Sequence, residues 1–304
     1  MKQKFREVRL SKDNKNRLEM INSIIGEYKK MDLILTLRQL YYQLVSRDVI
    51  PNQQKEYAKL SGLLKEGRMG GIVDWDAIED RLRRPDKNGS WDSAKDIVLT
   101  AASAFQLPRM KGQNIYTEVW VEKDALSGVL KQVTGPFHVN LMVNRGYSSA
   151  SAMYDSYQRF TNAIEEGANQ IKILYLGDFD PSGKDMIRDV RDRISEFLNG
   201  DDEIVDRFSD ADEFFSIEPI ALTWDQITEY NPPPNPAKIT DPRAAKYIEE
   251  FGEFSWEVDA LKPELLHGIV NEGIMRNIDY DQYKDIMDQE AQSRTKIRQL
   301  AKQL

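Results

Sequence analysis

The chain contains no cysteine and only two histidines among its 304 residues. Without cysteine it has no thiol nucleophile, no Cys-ligated zinc or iron–sulfur centre and no disulfide framework. Two histidines are too few for a multi-histidine metal site. No apolar run approaches the roughly 20 residues that cross a bilayer, and the first residues lack the apolar segment of a secretory signal. We therefore expect a soluble cytoplasmic protein of about two domains that makes no membrane contact.

Charge is distributed unevenly along the chain, although the formal net charge is only −8. Residues 1–111 carry 22 basic and 15 acidic side chains, a balance of +7. Residues 112–304 carry 20 basic and 35 acidic side chains, a balance of −15. The basic segment suits a polyanionic partner such as a nucleic acid, and a solvated charged surface would explain it equally well.

The first hundred residues have the periodicity of helices. Apolar side chains recur at helical spacing over residues 16–30, a second helix is expected to begin after Thr36, and a third covers residues 54–65. Three glycines within residues 67–71 then break the pattern. Helices followed by a glycine-punctuated hairpin are typical of a winged-helix module, which docks one helix on duplex DNA.

From residue 112 onward, predicted strands alternate with predicted helices. The strand-like segments are IYTEVWV (115–121), HVNLMV (138–143), IKILYLG (171–177) and FFSIEPIAL (214–222). Such alternation favours a parallel sheet with right-handed crossovers. The proline-rich segment at 231–238 is predicted to be a surface loop without regular structure. We predict an α/β protein with a mostly helical winged-helix domain at 1–110 and a Rossmann-like domain at 111–304 that ends in a helical extension.

Acidic residues follow two of these strands at the point where each strand ends. Glu122 follows the first strand, and Asp178 and Asp180 follow the third. If the chain stays extended, Asp178 and Asp180 point to the same side, because strand side chains alternate between faces. Ligands of an open parallel sheet bind beyond the carboxyl ends of its strands. Three carboxylates at this edge predict a Mg²⁺ site that would stabilise charge on a phosphate.

Other carboxylates near this motif have structural alternatives. An Asp-x-Asp before a helix is as often a capping feature as a ligand pair, so Asp180 has both interpretations. Glu257 and Asp259 stand two residues apart and could support a second metal ion. For these two we predict a structural role instead, at the entry to a strand or helix.

Several basic residues are candidates for contacts with nucleic acid. Lys123 follows the first strand, and Arg145 lies in a polar loop that opens a helix and could hold a phosphate. Arg81, Arg83 and Arg84 form a cluster suited to contacting a DNA backbone without reading its sequence. The alternative for Lys123 is an ion pair with a carboxylate, and that for Arg145 is a polar loop that only caps the helix. For the arginine cluster the alternative is solvated surface charge.

Two short motifs make the chain similar to a known family. VEK (121–123) and GDFDPSG (177–183) resemble the motifs of the Toprim domain, the metal-binding fold of topoisomerases and primases. The proline and glycine after the second Asp look most like the topoisomerase VI A subunit and the meiotic double-strand-break transesterase. Those proteins join a CAP-like winged helix to a Toprim domain in this order. ALTWDQITEYNPPPNPAK and FSWEVDAL also look like bacterial and phage Toprim proteins, so the resemblance covers about residues 33–265.

The resemblance also implies a nucleophile. Arg38-Gln39-Leu40-Tyr41-Tyr42 resembles the family's Arg-Asp-x-Tyr-Tyr motif, which implies that Tyr42 attacks a DNA phosphate and becomes linked to the 5′ end, with Arg38 contacting the nucleic acid. A homodimer with a composite site is implied too. Helical geometry places Tyr41 in the apolar stripe and Tyr42 about 100° further round, away from its centre. Gln39 replaces the acidic residue of the family pattern, and strand passage would require a separate ATPase subunit.

Three functions from different classes stay open. The first is Mg²⁺-dependent DNA cleavage, with Glu122, Asp178 and Asp180 holding the metal and Tyr42 as the nucleophile. The second is a Toprim nuclease that hydrolyses DNA or RNA with metal-activated water. The third is a DNA-binding subunit without catalysis. A phosphatase of the haloacid dehalogenase type also uses Asp-x-Asp at a strand end. It ranks lower, because Ser182 stands where that family has Thr or Val.

Overall fold

The computed structural model describes residues 1–30, 33–79, 88–144, 146, 148–237 and 244–304. The α-helices within these ranges are α1 (Lys12–Lys29), α2 (Leu37–Ser46), α3 (Gln54–Met69), α4 (Ala94–Ala104), α5 (Ser127–Phe137), α6 (Ala150–Glu165), α7 (Pro181–Asn199), α8 (Asp202–Phe208), α9 (Trp224–Tyr230), α10 (Ala244–Phe251), α11 (Pro263–Met275) and α12 (Tyr280–Ala301). The strands are β1 (Leu35–Thr36), β2 (Ile78–Glu79), β3 (Ile115–Val121), β4 (Asn140–Val143), β5 (Gln170–Leu176), β6 (Phe215–Ala221), β7 (Asn235–Pro236) and β8 (Phe254–Ser255).

The three predicted amino-terminal helices are present as α1, α2 and α3. Thr36 caps α2 as expected: its hydroxyl accepts the backbone N–H of Gln39, and the Gln39 side chain accepts the N–H of Thr36 at 2.8 Å. The prediction that glycine ends the third helix early is wrong for Gly67, since α3 continues to Met69. A Cβ on Gly67 would lie 2.9 Å from the side chain of Leu18, so this glycine permits close packing of α1 on α3.

The winged-helix prediction is not confirmed in the part of the chain that the structure describes. No antiparallel hairpin follows α3 in the described residues; instead β1 pairs with β2 in parallel, Leu35 opposite Ile78. Gly70 forms an isolated antiparallel bridge with Lys4, which brings the amino-terminal arm against the end of α3. The fold class is therefore supported as α/β, with a helical amino-terminal region whose finer class stays a prediction.

A four-stranded parallel sheet with the order β4-β3-β5-β6 organises the rest of the chain, consistent with a Rossmann-like domain. All four predicted strands are confirmed to within two residues. The second begins at Asn140 rather than 138, because His138 adopts a left-handed conformation (φ 57°) that ends α5. Val121 at the end of β3 lies opposite Leu176 at the end of β5, so these strands finish level with each other.

Both faces of the sheet are buried, as expected for parallel strands linked by crossover helices. Leu174 and Leu176 face a core that includes Leu130 of α5 and Leu266 of α11. Tyr175 points to the other side, into a second core that α6 and α7 cover. A third core holds α1, α2 and α3 together and extends to residues of the sheet region.

One segment has a contact that the sequence pattern did not indicate, and another differs from its prediction. Helix α4 lies against α12, where the Leu107 N–H donates to Glu290 at 2.9 Å and Arg294 donates to the Phe105 carbonyl at 2.7 Å. The predicted loop at 231–238 contains a short strand, since Asn235–Pro236 pairs with Phe254–Ser255. The domain boundary near 105–112 stays a prediction. In the described ranges, no helix combines the length and apolar character of a membrane span.

Candidate functional site

The carboxyl ends of β3 and β5 bring Glu122 and Asp178 together, as the sequence predicts. The Glu122 N–H donates to the Leu176 carbonyl at 2.9 Å, which continues the pairing of the two strands by one residue. The Glu122 carboxylate then accepts the backbone N–H of Asp178 at 3.1 Å. Burial raises the pKa of Glu122, and the neighbouring charges of Asp180 and Asp259 add to the rise. This carboxylate therefore lies in an acidic, partly desolvated environment.

Asp178 is largely enclosed, with 11% of its side chain exposed. Its Oδ1 accepts the Val258 N–H at 2.9 Å and lies 2.8 Å from Lys123 Nζ. Burial raises the pKa of Asp178 to about 7; Glu122 and Asp259 act in the same direction, and Lys123 opposes them. A carboxylate with such a pKa gains strongly from an additional cation.

Asp180 has the capping role that was the alternative for it. One carboxylate oxygen, Oδ1, accepts the Gly183 N–H at 2.6 Å and the Ser182 hydroxyl at 3.0 Å, so Asp180 is the N-cap of α7. Between the two acids, Phe179 pairs with Trp256, which keeps the backbone extended. A Cβ on Gly183 would collide with the Asp178 carbonyl oxygen, so glycine is required for α7 to begin this close to the acids.

Glu257 and Asp259 belong to the same cluster, so the predicted purely structural role for them was incomplete. Lys123 Nζ lies 2.8 Å from Glu257 Oε2 and 3.1 Å from Asp259 Oδ1, in addition to its contact with Asp178. Arg38 of α2 forms ion pairs with both Glu257 and Asp259. Asp259 is fully buried, and its ion pairs with these two cations compensate its negative charge. The Glu-x-Asp spacing, which repeats that of Asp178 and Asp180, was the one sequence signal for this pair.

Lys123 and Arg38 are thus engaged within the protein. Lys123 has the ion pair with a carboxylate that was its alternative, and Arg38 also pairs with acidic side chains of the cluster; contact of either residue with nucleic acid stays a prediction. The other predicted phosphate-contacting residues, Arg81, Arg83, Arg84 and Arg145, lie outside the described residues.

Tyr42 lies at the same cluster and approaches it from α2. Its ring and Glu257 line the same cavity, and the Arg38 guanidinium carbon lies 5.6 Å from the centre of that ring. Burial raises the pKa of Tyr42, and Asp259 and Glu257 raise it further. Lys123 above all, together with Tyr42 and Arg38, holds the pKa of Glu257 at about 2 against the effect of its burial.

The expected contrast between the two tyrosines is only partly found. Tyr41 is core, as predicted, and its hydroxyl donates to Asn52 at 3.0 Å. Tyr42 is equally buried, with 5% of its surface exposed, because α2 packs against the turn at 258–260 as well as against the other helices. A cavity of about 370 Å³ borders both rings and is lined by Arg38, Tyr41, Tyr42, Asn52, Gln54, Tyr57, Asn235 and Glu257.

The donor set fits a hard divalent cation in its chemistry. Carboxylates predominate over cations here and are the ligands that Mg²⁺ prefers. The acidic residues of the cluster are Glu122, Asp178, Asp180, Glu257 and Asp259. Lys123 lies among these carboxylates. In this arrangement, no three His, Asp or Glu side chains of the described residues are placed to hold a metal ion. A metal ion would therefore compete with Lys123 for Asp178.

Comparisons of the chain with protein-family models, curated proteins and solved structures found no match. The resemblance to the Toprim domain stays a prediction that rests on the motifs themselves.

Proposed function

We propose that the chain cleaves DNA strands in a Mg²⁺-dependent reaction, with Tyr42 as the nucleophile. The observation that carries this proposal is the position of Tyr42 on α2: it lines one cavity with Glu257, and Arg38 of the same helix forms ion pairs with Glu257 and Asp259. A nucleophile and a cluster of metal-binding side chains must both reach one phosphate, and in this chain they lie side by side.

The roles follow from the contacts. Glu122, Asp178 and Asp180 would hold Mg²⁺, which stabilises charge on the phosphate when bound. Tyr42 Oη forms a bond to phosphorus as the bond from phosphorus to O3′ breaks, which leaves the chain on the 5′ end. The phenol proton passes to Glu257, which lines the same cavity, and O3′ takes a proton from solvent. Two copies of the chain would be needed to cut both strands of a duplex. Strand passage would also require an ATPase partner.

A second candidate function is hydrolysis of DNA or RNA by water at the same carboxylates. The pKa shifts favour it: the phenol of Tyr42 is harder to deprotonate than usual, and Glu257, with a pKa of about 2, is a weak base. Hydrolysis needs the acids and leaves Tyr42 as a structural residue.

Supercoiled plasmid and Mg²⁺ separate these functions. Wild type and the variants Tyr42→Phe, Tyr41→Phe and Asp178→Ala are incubated with plasmid and stopped with detergent, and half of each sample receives protease. Protein bound to 5′ ends in wild type and Tyr41→Phe, absent in Tyr42→Phe, would support transesterification. Free ends from both tyrosine variants, lost in Asp178→Ala, would support hydrolysis. No cleavage by wild type would refute both and favour a DNA-binding role.

A further inference from the structure

A group of aromatic side chains lies directly beside the acidic cluster. Neighbouring rings are 4.9 to 6.3 Å apart, and the members are Phe179, Trp224, Tyr247, Phe251 and Trp256. Phe179 stands between Asp178 and Asp180 in the chain, so it ties the group to the site. Most of the group is enclosed, but Trp224, the first residue of α9, keeps 42% of its surface exposed.

The exposed tryptophan borders a cavity that opens next to Asp178. The cavity has a volume of about 290 Å³, and most of its lining is apolar side chains and glycine backbone. Phe179, Ile187 and Leu222 supply apolar surface, and Asp178 is the only acidic residue among the described residues that line the cavity. Among the described residues, it shares no lining residue with the cavity beside Tyr42. The acidic cluster is therefore flanked by two separate cavities, one beside the tyrosine and one beside the tryptophan.

Lys184 supplies a positive charge at the rim of this second cavity. Its Nζ lies 3.6 Å from the centre of the Phe251 ring and 4.9 Å from that of Phe179, a cation–π arrangement. Within the described part of the chain, Lys184 forms no ion pair with a carboxylate. Unlike Lys123, which three acids surround, Lys184 lines the cavity with a cation–π contact and the longer-range charge of Glu250 beside it.

We propose that the cavity beside Trp224 takes an unpaired base of the DNA strand whose phosphate lies at the acidic cluster. Trp224 provides the stacking surface, and Lys184 lies near the backbone phosphate of that nucleotide. An aromatic ring binds any base through its π-face, and a nearby cation favours the polyanion. Bases in a duplex are stacked on each other, so this site selects single-stranded or locally opened DNA. DNA as the ligand rests on the proposed function.

The test measures affinity rather than cleavage. Fluorescein-labelled oligothymidylate, alone or annealed to oligoadenylate, is titrated with the full chain by fluorescence anisotropy, with Ca²⁺ in place of Mg²⁺. Trp224→Ala is expected to weaken single-strand binding by about tenfold and leave duplex binding unchanged, because it removes one stacked base. Trp224→Phe should retain most of the affinity. Trp91→Ala is the matched control, since Trp91 is similarly exposed (48%) and lies outside this cavity.

Each outcome of the titration either supports or overturns the inference. No single-strand binding by wild type, equal losses for both DNA forms, or no loss in Trp224→Ala would overturn the inference. Thermal melting shows whether Trp224→Ala unfolds. If it does, the single-strand affinities of Trp224→Phe and Trp224→Leu are compared instead, because both keep an apolar side chain and only Trp224→Phe keeps an aromatic face. Selective loss of single-strand binding in a protein that never cleaves plasmid would refute the proposed function and leave this subsite standing.

Discussion

Glu118 and Glu122 stand four residues apart at β3, yet their surroundings differ completely. Glu118 is fully buried and saturated: Arg159 binds it at 2.7 and 3.0 Å, and Tyr116 and the Trp120 indole donate to it at 2.8 Å each. Glu122 accepts only the Asp178 N–H among the described hydrogen bonds, and other carboxylates surround it.

The difference separates a structural carboxylate from one that is open to a ligand. A buried charge is tolerated when hydrogen bonds and a counter-ion compensate it, as they do for Glu118. For Glu122, one hydrogen bond from the Asp178 N–H and the nearby charge of Lys123 only partly offset burial, so its pKa is raised. Unsatisfied acids of this kind cluster at functional sites, because a substrate or cation supplies the missing compensation.

Removing Glu118 should have the largest effect on stability. Glu118→Ala leaves the Arg159 guanidinium and the buried Trp120 N–H without their acceptor, so the free energy of unfolding should fall by about 3 kcal/mol. Chemical denaturation followed by circular dichroism measures it. Glu122→Ala is the matched control and should cost much less; an equal cost for both would remove the distinction between them.

The raised pKa of Asp178 predicts a pH dependence. Its pKa of about 7 in the folded chain lies above the ordinary value of 3.8, so the folded state holds this proton more tightly than the unfolded state. That contribution to stability is complete below pH 4 and is lost as the pH rises through 7. Without divalent cations, wild type should lose stability from pH 4 to 7 relative to Asp178→Asn. Parallel curves for the two proteins would contradict the shift.

Mg²⁺ should stabilise the chain through Glu122 and not through Glu118. A cation that binds only the folded state at several times its Kd adds about 1 kcal/mol, a shift of a few degrees in Tm. Thermal melts with and without Mg²⁺ test this for wild type, Glu122→Gln and Glu118→Gln. The shift should persist in Glu118→Gln and vanish in Glu122→Gln; its persistence in both would place the ion elsewhere.

The smallest effect is expected at a third strand carboxylate, Glu218 of β6. Its ion pair with Arg276 (2.9 Å) is exposed on the arginine side and screened by water. Arg276→Ala should change the free energy of unfolding by less than about 0.5 kcal/mol, as measured by denaturant titration. A change comparable with that of Glu118→Ala would show that hydrogen-bond saturation does not govern these costs.

The sequence predicted most of what depends on neighbouring residues. Strand periodicity located β3 to β6, and the acid after β3 and the Asp-x-Asp after β5 indicated the sheet edge where Glu122 and Asp178 meet. Capping chemistry located the start of α2 at Thr36. The hairpin of the winged helix was not found in the described residues, because glycine spacing alone does not distinguish a turn from a close helix contact.

Sequence by itself thus determined the parallel sheet, the helices around it and the acids at the strand ends, since hydrogen-bonding and side-chain periodicity act over a few residues. Only the tertiary structure decided that Arg38 meets Glu257 and Asp259, 219 and 221 residues away, and that Tyr42 reaches the same cluster. It also decided that Lys123 lies among the acids. Contacts over such separations depend on how whole elements pack, and local residue patterns carry no information about that packing.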